Sequence, residues 1–392
     1  MGRDNITKQE AMVQTAAVSE TMTEVLSHFS LEGCVASVTP YGSGHIHDTY
    51  LVKNLDSGCS DYVLQRVNHH VFKNVPGLME NIQVVTAHLR RKLEESASAQ
   101  PEKEVLTLIP TKDGQLFYID LEGNYWRMYL FLEETTSLDL VSTPQQAYEG
   151  GKAFGRFQAL LADLPAHQLH DTIPNFHNVV SRLELFKEAK AANSAGRVQE
   201  TAPEIAFVEA RAQQMSTIYE MGQRGELPLR ITHNDTKFNN VLLDKAGKAQ
   251  CVIDLDTVMP GYVAYDFGDA VRTTVNTASE DEPDLKKIQV NLSLFEGLAK
   301  GFLEETSSSL TPHEISSLLH GVLLLPFIMG LRFLTDYLSG DVYYKIHFPA
   351  HNLQRARAQF QLVKQLEAQR PVLQQILEEI VQETRLAETA AK

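Results

Sequence analysis

Cysteine is scarce: three in 392 residues, Cys34, Cys59 and Cys251, widely spaced and odd in number. They offer neither a disulfide framework nor the ligand spacing of a zinc site, and they suit a reducing compartment. Basic residues are outnumbered, 35 Lys and Arg against 50 Asp and Glu, for a net charge of −15. With no basic patch interleaved with aromatics, the chain does not read as a non-specific nucleic-acid binder, although a metal–nucleotide can still bind locally. The opening MGRDNITKQEAM lacks the apolar stretch of a secretory signal. The longest apolar run, VLLLPFIMG at 322–330, is too short to cross a bilayer and contains proline, so it reads as a buried helix. No internal repeat or low-complexity tract stands out, and a cytoplasmic protein without a membrane or obligate protein partner is expected.

What is present is an ordinary globular composition, 43% apolar and 22% charged, long enough for two domains. The chain is organised around LRITHNDTKFNNVLLDKAGKAQCVIDLDTVMPGYVAYDFGD at 229–269. Two hydrophobic runs flank the turn AGK, His233-Asn234-Asp235 precedes the first run, Asn240 follows Asp235 by five residues, and Asp254 and Asp256 follow the second run. Phosphoryl transfer from a nucleotide needs such a set: one Asp to orient the attacking hydroxyl, and an Asn with a second Asp to hold magnesium. An acidic surface hairpin would not need hydrophobic sequence so tightly around its acids.

This segment resembles the aminoglycoside phosphotransferase and choline kinase group, distant relatives of the protein kinases, and within it the N-acetylhexosamine 1-kinases. The phrases YGSGHIHDTY, YVLQRVNHHVFKN, HNDTKFNNVLLD, VIDLDTVMPG, YDFGD and LRFLTDYLSGDVYYKIH carry the resemblance over roughly residues 38–350. It implies an α+β, bilobal protein-kinase-like fold: a small antiparallel β-sheet lobe over residues 1–134, with a leading helix at 9–29, and a larger, mainly helical lobe over 135–392. It also implies ATP and Mg2+ as cofactors and a small-molecule sugar as substrate, phosphorylated on its anomeric C1 hydroxyl. The rival substrates are homoserine, choline, methylthioribose or an aminoglycoside, and a nucleotide-binding regulatory protein without transfer activity is a third reading.

In the first lobe, strands are expected in CVASVTPYG, DTYLVKNL and DYVLQRV, with a further hairpin formed by EVLTLIPT and LFYIDLEG around the Asp113-Gly114 turn, and another strand in NYWRMYLFL. Gly42, Ser43 and Gly44 permit close approach of backbone amides to phosphates, though a plain hairpin turn has the same composition. It is not a Walker A loop, since no Gly-Lys-Ser/Thr follows. His45 is either a solvent-facing loop residue or, by resemblance, a substrate contact. The third strand is where the group usually carries a phosphate-binding lysine, and here Gln65 and Arg66 stand instead, with no lysine before Lys73. Alternation puts Leu64 and Arg66 on one face and Val63 and Gln65 on the other. Arg66 is thus a substitute cation or a solvated charge, and Glu80, in the following helix, a brace for the phosphate-binding residue or a surface acid. Trp126, Met128 and Leu130 form a core stripe, and the lobe boundary is expected near 131–137.

In the second lobe, helices are expected at 144–163, 178–193, 201–220, 309–324 and 362–383. By resemblance His233 braces the catalytic loop, and Lys237 balances charge gathering on the phosphate. Asp235 takes or orients the acceptor proton, Asn240 and Asp254 ligate magnesium, and Asp256 is an alternative ligand or a brace. Asp266 and Asp269 resemble acids that anchor loops or a nearby arginine. Arg332 and one of Tyr343 and Tyr344 are implied sugar contacts; the plain alternative pairs Arg332 with Asp336 four residues on.

Overall fold

The computed structural model describes residues 20–42, 44 and 46–390. Ser43, His45 and positions 9–19 of the expected leading helix lie outside the described residues. The chain divides into two compact units, Met1–Val75 with Thr107–Leu132, and Pro76–Leu106 with Glu133–Lys392. Residues 76–106, which the sequence reading put before the boundary, therefore pack with the second unit. The architecture is the bilobal, protein-kinase-like one, a small antiparallel sheet and a larger helical lobe.

The first unit contains α1 (Glu20–Ser27), β1 (Val35–Pro40), β2 (Asp48–Asn54), β3 (Tyr62–Val67), β4 (Tyr118–Ile119) and β5 (Tyr125–Leu130). They form one antiparallel sheet in the order β1-β2-β3-β5-β4. Side chains alternate across a strand, so each face is a row of every second residue. One row, with Val52, Tyr62, Leu64, Trp126 and Met128, closes on Val25, Leu26 and Phe29 at α1 as the lobe's core. The expected first arm of the hairpin around the Asp113-Gly114 turn does not form a strand. Residues 105–111 make only isolated bridges, Leu108 to Tyr129 and Thr111 to Phe29, while the Asp113-Gly114 turn closes locally, with Gly114 at φ +82° and its N–H on the Thr111 carbonyl. Pairing with two separate elements leaves this segment no continuous partner strand.

The second unit holds α2 (Val75–Glu94), α3 (Pro101–Glu104), α4 (Pro144–Leu160), α5 (Val179–Ala192), α6 (Ala202–Met215) and α7 (Thr217–Gln223). Short strands β6 (Arg230–Thr232), β7 (Val241–Leu243), β8 (Ala249–Val252) and β9 (Met259–Gly261) follow, then α8 (Val263–Thr274), α9 (Leu292–Thr306), α10 (Pro312–Ser339) and α11 (His351–Ala390). Thr143 and Gln146 start α4 with a reciprocal capping box, as Thr311 and Glu314 start α10. The single helix expected over 201–220 breaks at Ser216, which ends α6 and begins α7.

The 322–330 run sits inside α10, which at 28 residues is long and apolar enough to cross a membrane by length and composition; 78% of its most apolar window is buried inside the protein. It packs against α8 so closely that a Cβ on Gly268 would lie 2.3 Å from the Gly321 carbonyl oxygen, and one on Gly321 1.9 Å from that of Ala264. Glycine at both positions lets the two helix backbones touch, and this fixes α8, which carries Asp266 and Asp269, on the rigid centre of the unit.

Candidate active site

Two antiparallel pairs, β6 with β9 and β7 with β8, bring the loops at 233–240 and 253–258 together. The Ile253 N–H donates to the Asn240 carbonyl at 2.9 Å, and His233 Nε2 bonds the Ile253 carbonyl at 2.9 Å. Asp254 is therefore held one residue from a point tied to both His233 and Asn240. The Thr257 hydroxyl donates to the His233 carbonyl at 2.7 Å, and the Asn234 amide donates to the Thr257 carbonyl at 2.9 Å. Asn234 and Asp254 both adopt left-handed backbone, φ +64° and +60°, which Asn and Asp tolerate better than other side-chain-bearing residues.

The loop is anchored from below by Asp266, fully buried in α8. Its two oxygens accept the backbone N–H groups of His233 at 2.8 Å and Asn234 at 2.7 Å, and the Gln158 side-chain amide at 2.5 Å. Burial pushes this carboxyl up, opposed by His233 and the three donors. Asp269 receives Arg272 Nε at 2.8 Å, so both acids anchor a loop or an arginine, as expected. The DFG triplet lies inside α8 rather than in a metal-binding loop.

Asp235 sits on this anchored loop with its side chain about one-fifth exposed and Lys237 Nζ 2.9 Å away. Burial pushes the Asp235 carboxyl up, but Lys237, together with His233 and Arg272, outweighs that and holds it below the ordinary carboxylate range. Reciprocally, burial lowers Lys237 and Asp235 more than restores it, so the ammonium stays charged. The Asn240 amide donates to the Asp235 carbonyl at 2.8 Å, which engages the nitrogen end and leaves the oxygen end to ligate. A carboxamide and a carboxylate, with no sulfur or imidazole, are hard donors that fit magnesium completed by phosphate oxygens and water. Asp254 is exposed whereas Asp256 is 2% exposed inside a 3-10 turn. The accessible carboxylate is the one able to reach an ion at the surface.

Beside this loop, and within the same unit, is a cavity of about 420 Å3 lined by Arg182, Glu188, Arg332, Asp336, Tyr343 and Tyr344. The Arg332 guanidinium lies 5.4 Å from the Phe176 ring, 5.9 Å from Tyr343 and 5.5 Å from Tyr344. The Phe176 and His177 rings are 4.5 Å apart, and His177 Nε2 bonds the Asn234 carbonyl at 2.9 Å, so the arginine cluster adjoins the HND loop. Burial, and secondarily the guanidiniums of Arg332 and Arg182, push the His177 imidazole down to about 4. A neutral ring facing a carbonyl carries its proton on Nε2, which leaves Nδ1 an acceptor. That Nδ1, Asp269 Oδ2 and the Tyr344 hydroxyl are buried without hydrogen-bond partners among the described residues.

Asp336 does not pair with Arg332. Its carboxylate accepts the backbone N–H groups of Val342, Tyr343 and Tyr344 at 2.8–2.9 Å and the Asn352 amide at 2.9 Å, capping the loop that follows α10. Arg182, which sequence reasoning did not single out, donates from two of its guanidinium nitrogens, Nε and Nη2, to the Phe176 carbonyl; burial first, and Arg332 next, push it down to about 10. Neither His177 nor Arg182 falls in a recognisable motif; only their place in the folded chain reveals them.

The remaining candidates are spread over other elements. Gly42 has φ +80° and Gly44 lies in the same loop between β1 and β2, both with open space where a Cβ would stand. Gln65 donates to the Thr49 hydroxyl at 3.0 Å and accepts from Arg127 Nε at 3.0 Å. Arg66 pairs with Asp48. Glu80 pairs with His170 at 2.7 Å, both roughly half exposed.

The geometry has family counterparts. Residues 37–299 match the model of the phosphotransferase enzyme family that includes the aminoglycoside phosphotransferases. The chain belongs to this family. Solved structures agree in fold: the microcompartment-associated aminopropanol kinase has a TM-score of 0.63 at 17% identity, over 90% of this chain and 98% of that one. An aminoglycoside phosphotransferase from Alicyclobacillus acidocaldarius gives 0.57 at 11% identity over 93% and 96%. A choline kinase from Cryptosporidium parvum gives 0.55 at 16% over 87% and 91%. The protein is a phosphotransferase.

Proposed function

We propose that the acceptor is an N-acetylhexosamine, phosphorylated on its C1 hydroxyl to the sugar 1-phosphate in a reducing, cytoplasmic setting. The observation that carries this is the pair of guanidiniums, Arg182 and Arg332, in the cavity beside the HND loop. Two cations there repel an ammonium-bearing acceptor, and the acid that could have neutralised one, Asp336, is occupied by backbone amides. Neutral sugar oxygens match guanidinium donors, and a tyrosine offers a flat apolar face to a pyranose. Asp235 takes the C1 hydroxyl proton as that oxygen bonds to the γ-phosphorus; the bond to the β-γ bridging oxygen breaks and ADP leaves. Asn240 and Asp254 would hold Mg2+, which would neutralise phosphate charge, and Lys237 stands beside the Asp235 carboxylate.

A second reading, an amino-alcohol acceptor, is favoured by Glu188 on the cavity wall and by fold neighbours described as aminopropanol and choline kinases. Incubation with Mg-ATP and a panel of GlcNAc, GalNAc, glucose, choline and aminopropanol, followed by product analysis, separates the two. Turnover of the amino alcohols but of neither N-acetyl sugar refutes the sugar assignment.

Arg332→Ala is expected to lower kcat/KM for the N-acetyl sugars by roughly 30- to 1000-fold, corresponding to about 2–4 kcal/mol from a pair of buried hydrogen bonds. Nucleotide affinity without sugar stays as in the wild type. Unchanged kcat/KM for every accepted sugar, read by steady-state kinetics, removes Arg332 from the acceptor site.

Asp254→Ala is expected to cost Mg-ATP use at least about tenfold, the scale on which even outer-shell partners of a metal act. Nucleotide affinity measured without magnesium changes little. Equal losses with and without the ion point to structural damage instead.

A further inference from the structure

Asp266 and Thr257 hold the HND loop at His233 and Asn234, and neither bonds to the peptide unit that joins Asn234 to Asp235. That unit is held at its two edges by histidines. The Asp235 N–H donates to His233 Nδ1 at 3.3 Å, and the Asn234 carbonyl accepts from His177 Nε2 at 2.9 Å. His233 is free to accept at Nδ1 because its Nε2 faces the Ile253 carbonyl and therefore carries the ring proton. A peptide unit is planar, so one gripped at both its carbonyl and its N–H leaves little freedom to the Cα that follows. The residue at that Cα is Asp235, and the direction of its side chain is set there.

His177 comes from outside the loop and is itself firmly placed. It is 6% exposed and stands in a turn just before α5, where Asn178 accepts the Ser181 N–H at 3.2 Å and donates to the Asn175 side chain at 3.0 Å. Its ring lies 5.4 Å from that of Tyr265 on α8 and 4.5 Å from that of Phe176. Phe176 in turn is taken by the arginines of the proposed acceptor cavity. Arg182 donates twice to its carbonyl, at 3.0 and 3.3 Å, and the Arg332 guanidinium lies 5.4 Å from its ring. Two consecutive residues thus face two ways, Phe176 to the cavity's arginines and His177 to the catalytic peptide. A phenylalanine in place of His177 would serve packing alone, without burying an imidazole whose Nδ1 has no partner among the described residues.

We propose that His177 is a positioning residue for phosphoryl transfer: its hydrogen bond to the Asn234 carbonyl fixes the aim of Asp235, and Phe176 ties that aim to the arginine-lined cavity. His177 acts through Asp235 and not by contact with the reacting atoms. The effect at stake is large, because displacing a reacting group by about 1 Å can cost on the order of 100-fold in rate. The assignment rests on the phosphotransferase reading and on Asp235 as the proton acceptor, but not on which hydroxyl compound fills the cavity.

Steady-state kinetics of the full chain with Mg-ATP tests it, using whichever acceptor of the panel above the wild type phosphorylates, or water as acceptor if it phosphorylates none. His177→Phe should lower kcat roughly 10- to 100-fold and leave the KM for Mg-ATP within about twofold of wild type. His177→Gln, whose amide nitrogen falls near the place of Nε2, should recover kcat to within a few-fold. His177→Asn, whose amide reaches only as far as Nδ1, should not. In an Asp235→Asn background His177→Phe should cost almost nothing further, because the group it aims is already gone. A core role alone would instead lower the urea midpoint and spare the kcat of the folded protein. Should His177→Phe fail to fold, His177→Gln and His177→Asn decide, and equal kcat in those two overturns the proposal. Wild-type kcat in a folded His177→Phe protein, or the same fold-loss with and without the Asp235 carboxylate, also overturns it. A wild-type chain that transfers phosphate from ATP to no acceptor and not to water overturns the phosphotransferase reading itself, and the role of His177 with it.

Discussion

Asp235→Asn is expected to lower kcat by about 100-fold or more, within the usual range for a positioned proton acceptor, while nucleotide affinity and thermal stability stay near wild type. The asparagine keeps the shape of the side chain but cannot take the acceptor's proton. The loop that presents it does not depend on that carboxylate: its backbone is fixed by Asp266, Thr257 and the Ile253 bonds to His233 and Asn240. The carboxylate itself is held below its ordinary range against burial by Lys237, together with His233 and Arg272. It is therefore ionised across the neutral region, its contribution is present above the unfolded-chain value, and it is lost only as pH falls through the depressed one. The acid limb of the wild-type kcat profile should accordingly lie below the ordinary carboxylate pKa. A folded Asp235→Asn protein with wild-type kcat removes Asp235 from proton transfer.

The HND loop was legible because phosphoryl transfer needs its parts on one short, ordered stretch: Asp235, Asn240 and Asp254 fall within 20 residues, and the hydrophobic runs between them announce the strands. The proposed acceptor side is built differently. Phe176, His177, Arg182 and Arg332 come from a loop, the start of α5 and the middle of α10. No local period relates them, and only Arg332 was singled out, through resemblance. Asp336, given only as the alternative partner of Arg332, is taken up elsewhere for another reason. Its four-residue spacing from Arg332 suggested a helix-face pair, but α10 ends at Gly340 with φ +94°, and three backbone N–H groups of the loop beyond it compete for the same carboxylate. The misread segment at 105–111 is the strand counterpart: its composition suits extension, and tertiary pairing divides it between Phe29 and Tyr129.

Asp266→Asn should be the mirror image of Asp235→Asn, costing the fold first. Both carboxylate oxygens are used as acceptors, Oδ1 by the Asn234 N–H and Oδ2 by the His233 N–H and the Gln158 amide. An asparagine has a single acceptor oxygen, so its NH2 must face at least one N–H in a site without solvent, and a buried donor is left unmade. Leaving a buried donor unmade in this way costs about 1–3 kcal/mol. Relief by movement is blocked, because α8 is pressed against α10 where Gly268 meets Gly321. The expected result is a lower urea midpoint with little change in slope, accompanied by loss of activity, since the freed amides are those that set the position of Asp235. The Asp235→Asn protein should show the reverse pattern, a lost rate on an intact midpoint. A wild-type urea midpoint in Asp266→Asn would mean that Thr257 and Ile253 suffice to hold the loop, and that the acid in α8 is not its anchor.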